Sequence, residues 1–163
     1  MATPEFITTA ANSWQGYYSD HQAVSVTIKY LHIAATMVGG GLAISLDRQV
    51  FRAVRNAGET RALALRQLHG AHRTVIAALA VATVSGVLMT TADLDTFLGS
   101  KVFWMKIAVF TALLANGAIL RVAGTAAAQD ESAAWQRLKI TSIISLALWL
   151  LTTFIGTLLT VAA

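Results

Sequence analysis

The run YLHIAATMVGGGLAISL, from Tyr30 to Leu46, constrains this chain more than any other stretch. It carries no formal charge, and its only side chain that titrates near neutral pH is His32. At about 1.5 Å per residue it reaches about 25 Å, close to the hydrocarbon thickness of a bilayer once a turn of the preceding, less apolar helix is added. The spacing predicts a transmembrane helix, and an ionisable residue inside one is a place to look for function.

The whole chain agrees with that reading. Of its 163 residues 56% are hydrophobic and only 12% charged, about half the charged share of a soluble domain. A soluble enzyme is therefore disfavoured. With no cysteine, disulfides, thiolate metal sites and c-type haem attachment are excluded too. The net charge of +4 does not argue for nucleic acid, because the basic residues are distributed by topology and not gathered into a docking face.

Four apolar spans are expected, at about residues 22–46, 72–92, 101–121 and 139–162, in a single membrane domain covering residues 1–163. The fold class is all-α: a polytopic four-transmembrane-helix bundle with a short N-terminal interfacial helix. The connector after the first span, Asp47 to Arg73, holds six arginines and reads as a partly helical loop. A short turn with Asp93, Asp95, Gly99 and Ser100 joins spans two and three, and an Ala-, Gly- and polar-rich connector follows Leu120. Arg48, Arg52, Arg55, Arg61, Arg66, Arg73, Arg121, Arg137 and Lys139 fall on one side, and only Lys29, Lys101 and Lys106 on the other. By the positive-inside rule both termini lie on the non-cytoplasmic side of a cell inner (plasma) membrane.

The first 20 residues lack the basic region and cleavage pattern of a signal peptide and are expected to be part of the mature chain. Thr3-Pro4-Glu5 reads as a helix start. Trp14, Tyr17 and Tyr18 bring the aromatic mix of a membrane boundary, compatible with an interfacial helix or a frayed, aromatically anchored tail. Helix packing is legible as small and hydroxylated seams: His32, Thr36, Gly39 and Ala43 on span one, and Ser142, Ser145, Trp149, Thr152, Gly156 and Thr160 on span four.

By depth, His32, Met89 and Met105 can meet near the outer ends of the first three spans, and imidazole with thioether suits Cu(I). The competing expectation is that the methionines fill the core and His32 donates to a carbonyl of a neighbouring helix. Lys106 can snorkel outward, with Asp93 and Asp95 as natural partners for it and for Lys29. His69 and His72 share a helical face but lack a third ligand. His32 has no second histidine at its depth, so bis-histidine haem is excluded, while a His-Met haem b remains geometrically open. Asn116 reads as a bridge between helices. The glycine run Gly39-Gly40-Gly41 allows close packing or local unwinding. No complete catalytic set is present, so the chain is not expected to be an enzyme.

LHIAATMVGGGL, then HRTVIAALAVATVSGVLM, then FLGSKVFWMKIAVFTALLANGAILR together resemble the membrane domain of the copper resistance protein D family, over about residues 31–121. The matching positions are His32 with Gly39 and Gly40, Ser85 with Gly86, and Lys106, with Asn116 and Arg121 closing that helix. The resemblance implies an inner-membrane protein connected with copper movement or tolerance. Met37 stands where the family tends to have tryptophan, and the chain has no methionine- or histidine-rich outer loop. Two alternatives stand beside it: a non-catalytic accessory subunit of a larger membrane redox or transport complex, or a homo-oligomer of the same kind, and a haem b-binding electron-transfer protein.

Overall fold

A computed structural model describes residues 5–56, 58–129 and 132–162. The expected Thr3-Pro4 helix start lies outside them. The described chain folds as α1 (Glu5–Asp20), α2 (Gln22–Arg55), α3 (Glu59–Thr91), α4 (Leu94–Gly99), α5 (Lys101–Ala127) and α6 (Ser132–Ala162). There is no strand among the described residues, and α2, α3, α5 and α6 are long and apolar enough to cross a membrane.

Large apolar side chains face outward, as a lipid solvent requires: Met37, Val122, Phe154 and Leu150 are all well over half exposed. The interior holds a few large side chains, such as Leu113, Trp149 and Ile155, among small and hydroxylated residues. Ser85, Ser142, Ser145 and Thr152 are buried with Ala43, Ala78 and Ala82. In lipid no hydrophobic drive pushes helices together, so backbone proximity and van der Waals contact must do it. The seam on α6 is therefore packed from Ser142 to Thr152, although Thr160 beyond it is exposed. Gly39 and Gly40 receive the indole of Trp149. A Cβ on either would lie 3.1 Å from that ring. Helix α2 runs through all three glycines without unwinding, and Gly39 and Gly40 serve close packing while Gly41 faces open space.

The helices outrun the bilayer. Helices α2 and α3 have 34 and 33 residues, about 50 Å each against a hydrocarbon core of about 30 Å. The expected loop from Asp47 to Arg73 is accordingly almost all helix among the described residues, α2 ending at Arg55 and α3 starting at Glu59 after Gly58, which takes φ of +78°. The connector after Leu120 is likewise helical to Ala127 and again from Ser132. Its alanines are what composition reading mistook for loop; alanine is the best helix former. These extensions bury Val50, Ala53, Leu68, Ala123, Ala127, Trp135 and Leu138 in a small core of their own, with the Arg61 guanidinium 4.9 Å from the Trp135 ring centroid. We call this end the basic face and the opposite end, with α1 and α4, the terminal face.

Helix α1 lies across the terminal face, so the interfacial-helix reading of residues 5–20 holds over the frayed tail. Its Trp14 indole N–H donates to Leu88 O at 2.9 Å, and Tyr17 and Tyr18 gather round the same ring. Helix α4 starts at Asp93, whose carboxylate accepts from Thr96 N–H, and α5 starts at Ser100, whose hydroxyl accepts from Phe103 N–H. Around the bundle α2 packs on α3, α5 on α6, and α2 on α6. Between α3 and α5 there is no comparable packing. Their side chains meet near the basic face, where Leu68 covers Gly124, and above that point the two helices stand apart.

Candidate functional site

Two polar layers cross the apolar interior. The first is centred on His32. Its Nδ1 lies 2.9 Å from Ala82 O and 3.1 Å from Ser85 Oγ. A carbonyl can only accept, and the Ser85 hydroxyl is itself donating to Val81 O at 2.6 Å. Nδ1 therefore carries the proton in the neutral ring and Nε2 presents a lone pair. Gly86 makes room for this: a Cβ there would sit 3.3 Å from His32 Cε1. Serine and glycine thus act together on α3, one accepting from the imidazole and the other giving it space.

Lys106 enters the same layer from α5. Its ammonium lies against Gly156 of α6, 3.6 Å from where a Cβ would be, and within electrostatic reach of His32. This corrects the expectation of an outward snorkel. Neither Lys106 nor Lys29 forms an ion pair with Asp93 or Asp95 among the described residues. Asp93 is used as the cap of α4, and Asp95 is exposed.

Met105 is corrected as well. Successive residues on a helix are turned by about 100°, so with Lys106 facing inward Met105 faces out, and it is 50% exposed. Met89 is half-buried and lies one turn beyond Ser85 on the same face of α3. Of the two expected thioethers it is the one on the His32 side. His69 and His72 part company: His69 is exposed and its Nδ1 donates to Leu65 O of its own helix, while His72 is half-buried with Nε2 unpartnered. Among the described residues no three His, Asp or Glu side chains come together to hold a metal.

The second layer lies nearer the basic face, and sequence reading missed its centre. Asp47 is 2% exposed, faces the hydroxyls of Ser145 and Ser142, and leaves Oδ2 without a hydrogen bond. Asn116 bridges α5 to α6 here through its amide N–H on Thr141 O at 3.1 Å. The signal was present: Asp47 continues the seam Gly39–Ala43 at the same spacing of four. Reading Asp47 as the first residue of a loop cut that seam one turn short. Beside this layer, between the separated helices α3 and α5, is a cleft of about 570 Å³ with Asp47, His72, Asn116 and Arg121 among largely apolar walls.

An all-helical bundle with four membrane-length apolar helices, an outward greasy surface and an inward polar seam defines a multi-pass membrane protein. No family model, curated protein sequence or solved structure matches this chain.

Proposed function

We propose that this is a small copper-handling protein of the inner (plasma) membrane, with both termini on the non-cytoplasmic side, in which His32 Nε2 is a ligand for Cu(I). His32 donates to Ala82 O as the packing expectation has it, and what carries the copper reading is the consequence for the other nitrogen, whose lone pair is left free. A ligating histidine is held in this way, its other nitrogen donating to a carbonyl so that the free lone pair is aimed and made more basic. We take Met89, half-buried one turn beyond Ser85 on α3, as its co-ligand, since a two-coordinate imidazole–thioether pair suits a soft monovalent ion. The residues that carry the resemblance to the copper resistance protein D family support the same reading, since His32, Ser85 with Gly86, and Lys106 converge on one layer. The Lys106 ammonium opposes a cation at that place. It keeps binding weak, which suits an ion that must leave as readily as it enters.

Orientation rests on the nine basic residues of the basic face against three on the other. The haem b alternative would need room for a macrocycle at His32, whereas the cleft described above lies at the level of Asp47.

The test is anaerobic titration of the purified protein, in lipid nanodiscs, with Cu(I) against a chromophoric chelator. One equivalent is expected to bind, with loss of binding in both His32→Gln and Met89→Leu. Unchanged stoichiometry in His32→Gln, or no uptake by the wild type, rejects the proposal.

A further inference from the structure

The cleft between α3 and α5 plays no part in the copper reading, and the packing seam forms one of its walls at Asp47 and Ser145. We propose that the cleft binds a small amphipathic organic cation, whose N–H donors meet Asp47 and whose apolar body lies between the two helices. Three features of the site converge on that chemistry.

The first is an unanswered carboxylate. Burying a carboxylate is costly unless it is paired and fully hydrogen-bonded. Asp47 lines the cleft at 2% exposure, yet Oδ2 has no donor and no guanidinium or ammonium pairs with it among the described residues. The groups that face it, Ser145 and Ser142, are neutral hydroxyls: they can donate to the carboxylate but cannot balance its charge. A positive group from outside the chain would supply both a donor for Oδ2 and the opposite charge.

The second feature is shape. A volume of about 570 Å³ falls in the range of small-molecule sites, which combine apolar walls with a few polar groups that fix orientation. Val75, Leu79, Leu113 and Leu114 supply such walls. An acyl chain could fill that space but would leave Oδ2 unanswered.

The third is the sign of the charge. Arg121 lines the cleft but is exposed, free to hold its charge in water beyond the basic face. The fully enclosed charge is the acid. An anion entering far enough to use the apolar walls would lie against Asp47, whereas a cation would neutralise it.

Ethidium is a suitable probe, being a flat cation with two amino donors and a fluorescence that rises on leaving water. In phosphatidylcholine nanodiscs, whose headgroup has no N–H, it is expected to show one saturable site above the empty-disc background. Asp47→Asn should weaken that site at least tenfold. Gly117→Trp should abolish it with the acid intact, since a Cβ at Gly117 meets nothing within 4 Å and the new ring would occupy the cleft. His32→Gln should leave it unchanged, so the outcome is independent of the copper titration.

Equal ethidium affinity in Asp47→Asn and wild type overturns the proposal, as does the absence of a saturable site. Tighter binding of the anion 1-anilinonaphthalene-8-sulfonate overturns it in favour of an anion site at Arg121. Loss of ethidium binding when a third of the lipid is phosphatidylethanolamine overturns it in favour of that headgroup. Should Asp47→Asn not fold, Gly117→Trp alone decides: wild-type affinity in that variant also overturns the site.

Discussion

Three consecutive glycines on α2 are expected to give three different results when each is changed to alanine. At Gly39 the new Cβ would lie 3.1 Å from Trp149 Cη2 and 3.2 Å from Ala78 Cβ, so it is caught between a rigid indole and a methyl fixed to the α3 backbone. At Gly40 it would meet only the indole, at 3.1 Å from Cε3 with the next atoms at 3.5 and 3.6 Å. At Gly41 it would meet nothing within 4 Å. Each substitution gains up to about 1 kcal/mol of helix propensity, and over-packing a tight site costs about 1–3 kcal/mol. Gly41→Ala should therefore be neutral or stabilising by up to about 1 kcal/mol, since no over-packing opposes its propensity gain. Gly40→Ala, where the indole can withdraw by a few tenths of an ångström, should cost between about 0 and 2 kcal/mol. Gly39→Ala, blocked on both sides, should cost the most, near the upper end of that over-packing range at about 2–3 kcal/mol. Reversible unfolding in mixed detergent micelles, followed by tryptophan fluorescence as the SDS fraction rises, measures all three. Adding Trp149→Ala should erase the penalty at Gly40, leaving a coupling of about 1–2 kcal/mol between the two sites. Equal stabilities across the series, or additive effects of Gly40→Ala and Trp149→Ala, would refute the packing argument.

Two further outcomes follow from the terminal-face half of the bundle. Trp14→Phe keeps the ring but removes the donor to Leu88 O, and should loosen α1 by about 1 kcal/mol. Hydrogen exchange of the α1 amides should speed up by roughly fivefold while the spans stay protected. Lys106→Met removes the ammonium that faces the His32 layer and should tighten Cu(I) binding on the order of tenfold, the scale of two unit charges about 10 Å apart at an effective dielectric of about 20; weaker binding would make Lys106 a support for the ion.

The spans, the seams and the place of His32 between helices were legible in the residues, because lipid leaves few choices: uncharged runs of sufficient length must be helices, and small or hydroxylated residues at helical spacing must face other helices. What escaped was set by rotation about the helix axis and by propensity. Depth alone put Met105 and Lys106 in one place, but the two side chains are turned about 100° apart, and here the lysine is the one that faces inward. Asp93 looked like a partner for that lysine until the start of α4 required a cap. The arginine-rich and alanine-rich connectors were read for polarity when their helix propensity decided their structure. Asp47, at the meeting of those two errors, was assigned to a loop and so lost its place on the buried face.

The separation of α3 from α5 limits how this protein can move. Near the basic face the two helices are joined through the Leu68–Gly124 contact, and at the terminal face they are tied by the six-residue α4. With both ends fastened, the window cannot open like a jaw. It can only widen by bowing of its two sides away from the α2–α6 spine, and Gly117, which faces open space midway along one of them, is where such a bend meets least resistance.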